Sequence, residues 1–90
     1  MTSTTGEYAR IEFQANGEIF VTKNTYRLLS AHYEVWTYSS TKGWTKLTNW
    51  TLRPGSNLNV NYSIAEGVRV SIKVCVDHGL GCAGNNRLVA

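Results

Sequence analysis

Ser63-Ile64-Ala65-Glu66-Gly67-Val68-Arg69-Val70-Ser71-Ile72-Lys73-Val74-Cys75-Val76-Asp77-His78-Gly79-Leu80-Gly81-Cys82-Ala83-Gly84-Asn85 is the stretch whose reading decides the fold. Val68, Val70, Ile72, Val74 and Val76 alternate with Arg69, Ser71, Lys73 and Cys75. A period of two with one apolar and one polar side is the pattern of a strand buried on one face. The strand runs into Asp77-His78-Gly79-Leu80-Gly81, a segment rich in turn formers, and then into Cys82, so the chain's two cysteines flank a tight hairpin.

Working outward from this strand, the same chemistry recurs. Ala9, Ile11 and Phe13 alternate with Tyr8, Arg10, Glu12 and Gln14, and Asn16-Gly17 is a type I′ turn signal that leads into a returning strand from Glu18 to Thr22. Lys23 to Ser30 has apolar residues without a clean period and reads as a loop plugging one end of the core. Ala31 to Tyr38, the connection Ser39–Gly43 and Trp44 to Trp50 form a second hairpin. Arg53-Pro54-Gly55-Ser56 is a turn by composition. Leu58, Val60, Tyr62 and Ile64 then alternate with Asn57, Asn59, Asn61 and Ser63, and Arg87 to Ala90 adds a short last strand. Six to seven short strands with no helical periodicity predict an all-β, antiparallel β-sandwich, immunoglobulin-like or similar. Residues 1–6 read as a flexible tail, or an arm that orders on a partner, and 7–90 as a single domain.

Ninety residues lie near the lower limit for an independent core, where a covalent staple is often recruited. A Cys75–Cys82 bond would close a loop of about eight residues and contribute at most about 2.5 kcal/mol in the chain-entropy model. The alternatives are two free thiols or half of a metal site. Matching ligands for zinc are missing and the spacing is not that of a redox pair, so one disulfide and an oxidising, extracellular compartment are expected. Residues 1–6 carry no secretory signal, and no apolar run reaches the length of a membrane span. The net charge of +3 is spread without basic runs, which argues against a nucleic-acid partner.

The middle hairpin holds the candidate site. A five-residue connection pairs Tyr38 with Trp44, Trp36 with Lys46, Glu34 with Thr48 and His32 with Trp50, all on one face, with Tyr33, Val35, Thr37, Thr45, Leu47 and Asn49 on the other. If the second face is core, the first is an exposed row of aromatics interleaved with His, Glu and Lys, suited to stacking on sugar rings, nucleobases or a protein partner. If the tryptophan face is core, the row is packing. Both readings are open at this level, and His32, Trp36, Tyr38, Trp44, Lys46 and Trp50 are the candidate binding residues.

Catalytic and metal chemistry find little footing. His32 and His78 stand in no recognisable motif, and the glutamates cannot be paired by spacing. Gly79 and Gly81 lack the strand-to-helix context of a phosphate loop. Asn49-Trp50-Thr51 and Asn61-Tyr62-Ser63 match the N-glycosylation pattern, which a chain rich in Asn and Thr meets by chance. Asn85-Asn86 and the Tyr8 to Phe13 strand are each similar to parts of βγ-crystallin calcium motifs, but no Ser or Thr follows Asn85-Asn86 at the needed place and Ala15 stands where glycine would. No enzyme activity, cofactor or metal is expected.

The opening Tyr8-Ala9-Arg10-Ile11-Glu12-Phe13-Gln14-Ala15-Asn16-Gly17-Glu18-Ile19-Phe20, the segment from Ala65 to Cys75 and the closing Cys82 resemble small secreted β proteins of Streptomyces and related actinobacteria. Those show an aromatic strand ending in a Gly-Glu turn, an acidic-Gly corner before a valine-rich strand ending in Cys, and a second Cys near the C-terminus. The resemblance covers both ends of the chain. The middle departs from it, with Asn24-Thr25-Tyr26-Arg27 where those proteins often carry Asp-Gly-His. It implies secretion and a disulfide, and extends to adaptor domains of antibacterial toxin particles. The expected function is a secreted, non-catalytic protein-interaction or adaptor module linked to bacterial competition. Alternatives are a carbohydrate or cell-wall binding domain using the aromatic hairpin, and a small secreted toxin or inhibitor.

Overall fold

The computed structural model describes residues 2–5, 8–14, 18–76 and 81–90. The described residues form eight strands: β1 (Thr2–Thr5), β2 (Ala9–Gln14), β3 (Ile19–Asn24), β4 (Ala31–Ser39), β5 (Gly43–Leu52), β6 (Asn57–Asn61), β7 (Arg69–Val76) and β8 (Cys82–Val89). They form two four-stranded antiparallel sheets, ordered β1-β2-β3-β6 and β5-β4-β7-β8, called here sheets A and B. The all-β sandwich predicted from strand periodicity is the fold observed. Its chain order differs from that of an immunoglobulin domain, because β1, β2 and β3 are successive neighbours in one sheet. Among the described residues no helix is long and apolar enough to cross a membrane.

Alternation in the sequence becomes burial in the sandwich. Ala9, Ile11 and Phe13 of β2 and Phe20 of β3 face Ala31, Tyr33 and Val35 of β4 and Val70, Ile72 and Val74 of β7, and all of these are buried. Phe13 and Phe20 are direct cross-strand partners with ring centroids 4.8 Å apart. Full burial of each such side chain stabilises the fold by about 1.5–3 kcal/mol. Along β7 the intervening Arg69 and Lys73 are exposed, as the period predicts.

Four expectations change. Thr2–Thr5, read as part of a loose tail, is an edge strand in register with Phe13 to Arg10 of β2. Thr is a strand former, and an edge strand needs only one neighbour for its backbone. The strand predicted to reach Ile64 ends at Asn61, because Glu18 takes over: its carbonyl accepts from the Tyr62 N–H at 3.2 Å and its carboxylate from the Ile64 N–H at 2.6 Å. Glu18 holds a left-handed backbone, φ 54°, to do so. The last strand begins at Cys82, well before Arg87. Finally, Lys23 and Asn24, read as the start of the plugging loop, are the last residues of β3. The buried Asn24 carboxamide donates to the carbonyls of Leu29 (2.8 Å) and Leu52 (3.2 Å) and accepts from the Tyr26 N–H, pinning the 25–30 loop to the end of β5. Tyr26 packs on the core as a plug, while Leu28 stands 89 % exposed.

The Cys75–Cys82 disulfide is formed between residues directly opposite each other on β7 and β8. The predicted Asn16-Gly17 turn and the hairpin residues Asp77, His78, Gly79 and Leu80 lie outside the described residues.

Candidate functional site

The β4–β5 hairpin settles which of its faces is core. Ser39 pairs with Gly43, and a three-residue turn, Ser40 to Lys42, joins them. Gly43 takes φ 70°, the left-handed residue that closes such a turn. From there Tyr38 pairs with Trp44 and Trp36 with Lys46, as the spacing predicted. The register then shifts by one residue: Val35 pairs with Thr48, Glu34 with Asn49, Tyr33 with Trp50 and His32 with Thr51. Leu47 is the extra residue of a β-bulge and packs half-buried on the core. A one-residue slip turns every following side chain to the other face.

The predicted partners Glu34–Thr48 and His32–Trp50 are therefore not partners, and Trp50 leaves the candidate site. Its ring stacks on Tyr33 at 5.9 Å and meets Phe20 edge-on at 6.4 Å. Its indole N–H donates to the Thr22 hydroxyl at 3.2 Å, and that hydroxyl donates to the Leu58 carbonyl at 2.6 Å. Trp50 is thus a half-buried ring packed against the core with its N–H satisfied, on the inner side of the bulge. His32 stays on the outer face, but at the far end from the aromatic cluster, beside Thr51 and opposite Cys75, with Nδ1 and the Thr51 hydroxyl 3.0 Å apart.

Trp36, Tyr38, Trp44 and Lys46 remain together on the outer face of sheet B, with Glu34. Tyr38 and Trp44 meet edge-on at 5.4 Å. The Trp36 indole N–H donates to Glu34 Oε1 at 3.0 Å, Lys46 Nζ lies 3.5 Å from Glu34 Oε2, and the same ammonium sits 5.5 Å from the Trp36 ring centroid. The indole hydrogen bond, with help from the charges of Lys46 and Lys73, holds the Glu34 carboxyl below its ordinary value against a partial loss of solvation.

Two contributors come from β7, and sequence reasoning missed both. Arg69 lies over two rings at once, 5.0 Å from the Tyr38 centroid and 5.4 Å from that of Trp44. Lys73 is the cross-strand partner of Glu34. In the sequence both belong to the wet side of a strand, and the signal that places them here is the pairing of β4 with β7, which no local spacing carries. A depression of about 270 Å³ runs between the hairpin and β7–β8, lined by Glu34, Trp36, Trp44, Ser71, Lys73 and Asn86. Asn86 reaches it because β8 carries an extra residue where Val70 pairs with Leu88 but Ile72 with Asn85. Beside it, Gly84 brings β8 close to β7: a Cβ there would stand 3.0 Å from the Ile72 carbonyl oxygen.

Among the described residues no three His, Cys, Asp or Glu side chains converge on a point where they would hold a metal ion. The arrangement on sheet B offers hydrogen-bond donors, cations and aromatic edges on a largely flat surface, which is the chemistry of recognition. Comparison of the chain with protein-family models, with curated proteins and with solved structures finds no match.

Proposed function

We propose that this protein is a non-catalytic protein-binding module of an oxidising, extracellular setting, and that its working surface is the outer face of sheet B. The observation that carries this reading is the placement of Trp36, Tyr38, Trp44 and Arg69 in one cluster on the face that has no second sheet over it. Tryptophan, tyrosine and arginine are the residues that dominate binding energy at protein interfaces. A single ordered surface also suits an adaptor, which needs affinity and no chemistry. The disulfide supports the compartment, because such bonds persist where thiols are not kept reduced.

Carbohydrate recognition is the second reading, favoured by the exposed Tyr38 ring and the half-buried Trp36 and Trp44 rings beside it. Against it, cationic side chains lie over these rings: Arg69 over Tyr38 and Trp44, and Lys46 over Trp36. A sugar that stacks would have to displace them.

Selection of a displayed random peptide library on the wild-type protein, in parallel with a Trp36→Ala/Trp44→Ala variant and with an array of soluble polysaccharides, tests the reading. The expected result is peptide families that bind the wild type and not the variant. Peptides indifferent to the variant, or polysaccharide binding that the variant alone abolishes, would contradict it.

A further inference from the structure

The two sheets differ in charge. The strands of sheet A carry Arg10, Glu12 and Lys23, with Arg10 and Glu12 in an ion pair at 3.6 Å. The strands of sheet B carry Lys46, Arg69, Lys73 and Arg87 against one carboxylate, Glu34. That carboxylate is already engaged by the Trp36 indole and by Lys46. Among the described residues neither Arg69 nor Lys73 forms an ion pair within 4 Å of a carboxylate, and with Lys46 they leave the aromatic face with more positive than negative charge, Lys73 acting on Glu34 only at longer range.

The spacing of these cations is that of a strand. Arg69, Ser71 and Lys73 point the same way from β7, and four residues of extended chain set the backbone positions of the two cations roughly 13 Å apart. A second extended chain lying along β7 presents its own side chains i and i+4 at the same separation. Between the two cations the face offers the Ser71 hydroxyl, the Asn86 amide and the walls of Trp36 and Trp44, all lining one depression.

Resting on the reading that this face is the working surface, we infer that its partner is an extended acidic protein segment, with carboxylates on one side at positions i and i+4. One carboxylate meets the Arg69 guanidinium beside Tyr38 and Trp44, and the other meets Lys73 in the depression. The residue between them rests its side chain against the aromatic rings. Charge complementarity of this kind fixes partner and register and makes association sensitive to salt.

A synthetic peptide of about ten residues alternating Glu and Thr tests the inference, with its Gln–Thr counterpart and a neutral soluble glucan as comparisons, each followed by calorimetric titration. The Glu peptide is expected to bind, with affinity falling about tenfold between about 50 and 300 mM salt. Arg69→Gln and Lys73→Gln should each weaken it about tenfold, whereas Lys23→Gln on sheet A should change it less than about twofold. Equal binding of the Gln peptide would overturn the acidic partner while leaving the face as the working surface. Salt-independent binding of the glucan would overturn it in favour of the carbohydrate reading. Failure of the Glu peptide to bind at low salt would overturn the inference, and the library selection would still report on the surface.

Discussion

The β4–β5 hairpin contains two tyrosine–tryptophan pairs of the same composition and opposite fate. Tyr33 and Trp50 face each other across the strands on the inner side, stacked at 5.9 Å, in contact with Phe20 and closed by hydrogen bonds at both polar tips. Tyr38 and Trp44 face each other on the outer side, edge-on at 5.4 Å, with a guanidinium over both rings. What separates them is one residue, Leu47, inserted between the two pairs. The same side chains pack against the core in one place and stand on the outer face in the other. Residue type therefore does not decide the role; the register does.

Truncation gives the largest effect. Trp50→Ala removes a half-buried ring packed on the core and leaves the Thr22 hydroxyl without its donor, so a loss of about 3 kcal/mol, the low end for a large aromatic truncation, is expected in urea unfolding. Trp44→Ala should cost about 0.5–1.5 kcal/mol, the worth of an aromatic pair at a surface. Equal costs at the two positions would break the comparison. Next in size is Thr22→Val, which keeps the shape of the side chain but leaves the Trp50 indole N–H without its acceptor. We expect a loss of about 1–3 kcal/mol and a shifted Trp50 emission, and no change in the environment of Trp44.

Alkaline titration sharpens the contrast through Tyr33. Its hydroxyl donates to the Lys23 carbonyl at 2.7 Å, and burial pushes its pKa from 10.0 up to about 12. Because the folded value is the higher one, this contribution to stability is fully present below pH 10 and is lost as pH rises toward 12. Alkaline unfolding curves of Tyr33→Phe should lack that component, and an unchanged curve would contradict the assignment. The smallest effect belongs to the outer face. Glu34 is held below its ordinary value, so its contribution is present at neutral pH and is lost as pH falls through the lowered value. Acidification should then release the Trp36 N–H and change its fluorescence, and Glu34→Gln should remove that acid transition.

How much of this was legible in the sequence follows from the physics of each element. β7 was readable because valine and isoleucine alternate with charged or small polar residues through its length, and β2 and β4 shared that property. β8 was hidden because Gly84, Asn85 and Asn86 are poor strand formers, held there by pairing with β7. Tyr38 and Trp44 were correctly paired, since the short turn between them fixes the register, while alternation left open which face they lie on. Beyond Leu47 the placement failed, because a bulge is decided by how Leu47 and Trp50 pack on the core, which alternation does not encode. Arg69 and Lys73 were visible as exposed charges, but their place beside the rings depends on β4 pairing with β7 across more than thirty intervening residues. Glu18 carries no local signal of its anchoring role, since its partner is Ile64, on the other side of the chain's middle hairpin.

The most direct test of the account reads both pairs at once, through the indole N–H resonances of Trp36, Trp44 and Trp50 in the intact protein. Addition of the alternating Glu–Thr peptide at low salt is predicted to shift the Trp36 and Trp44 signals and to leave that of Trp50 in place. Movement of the Trp50 signal alone, or no movement of any of the three, would contradict it.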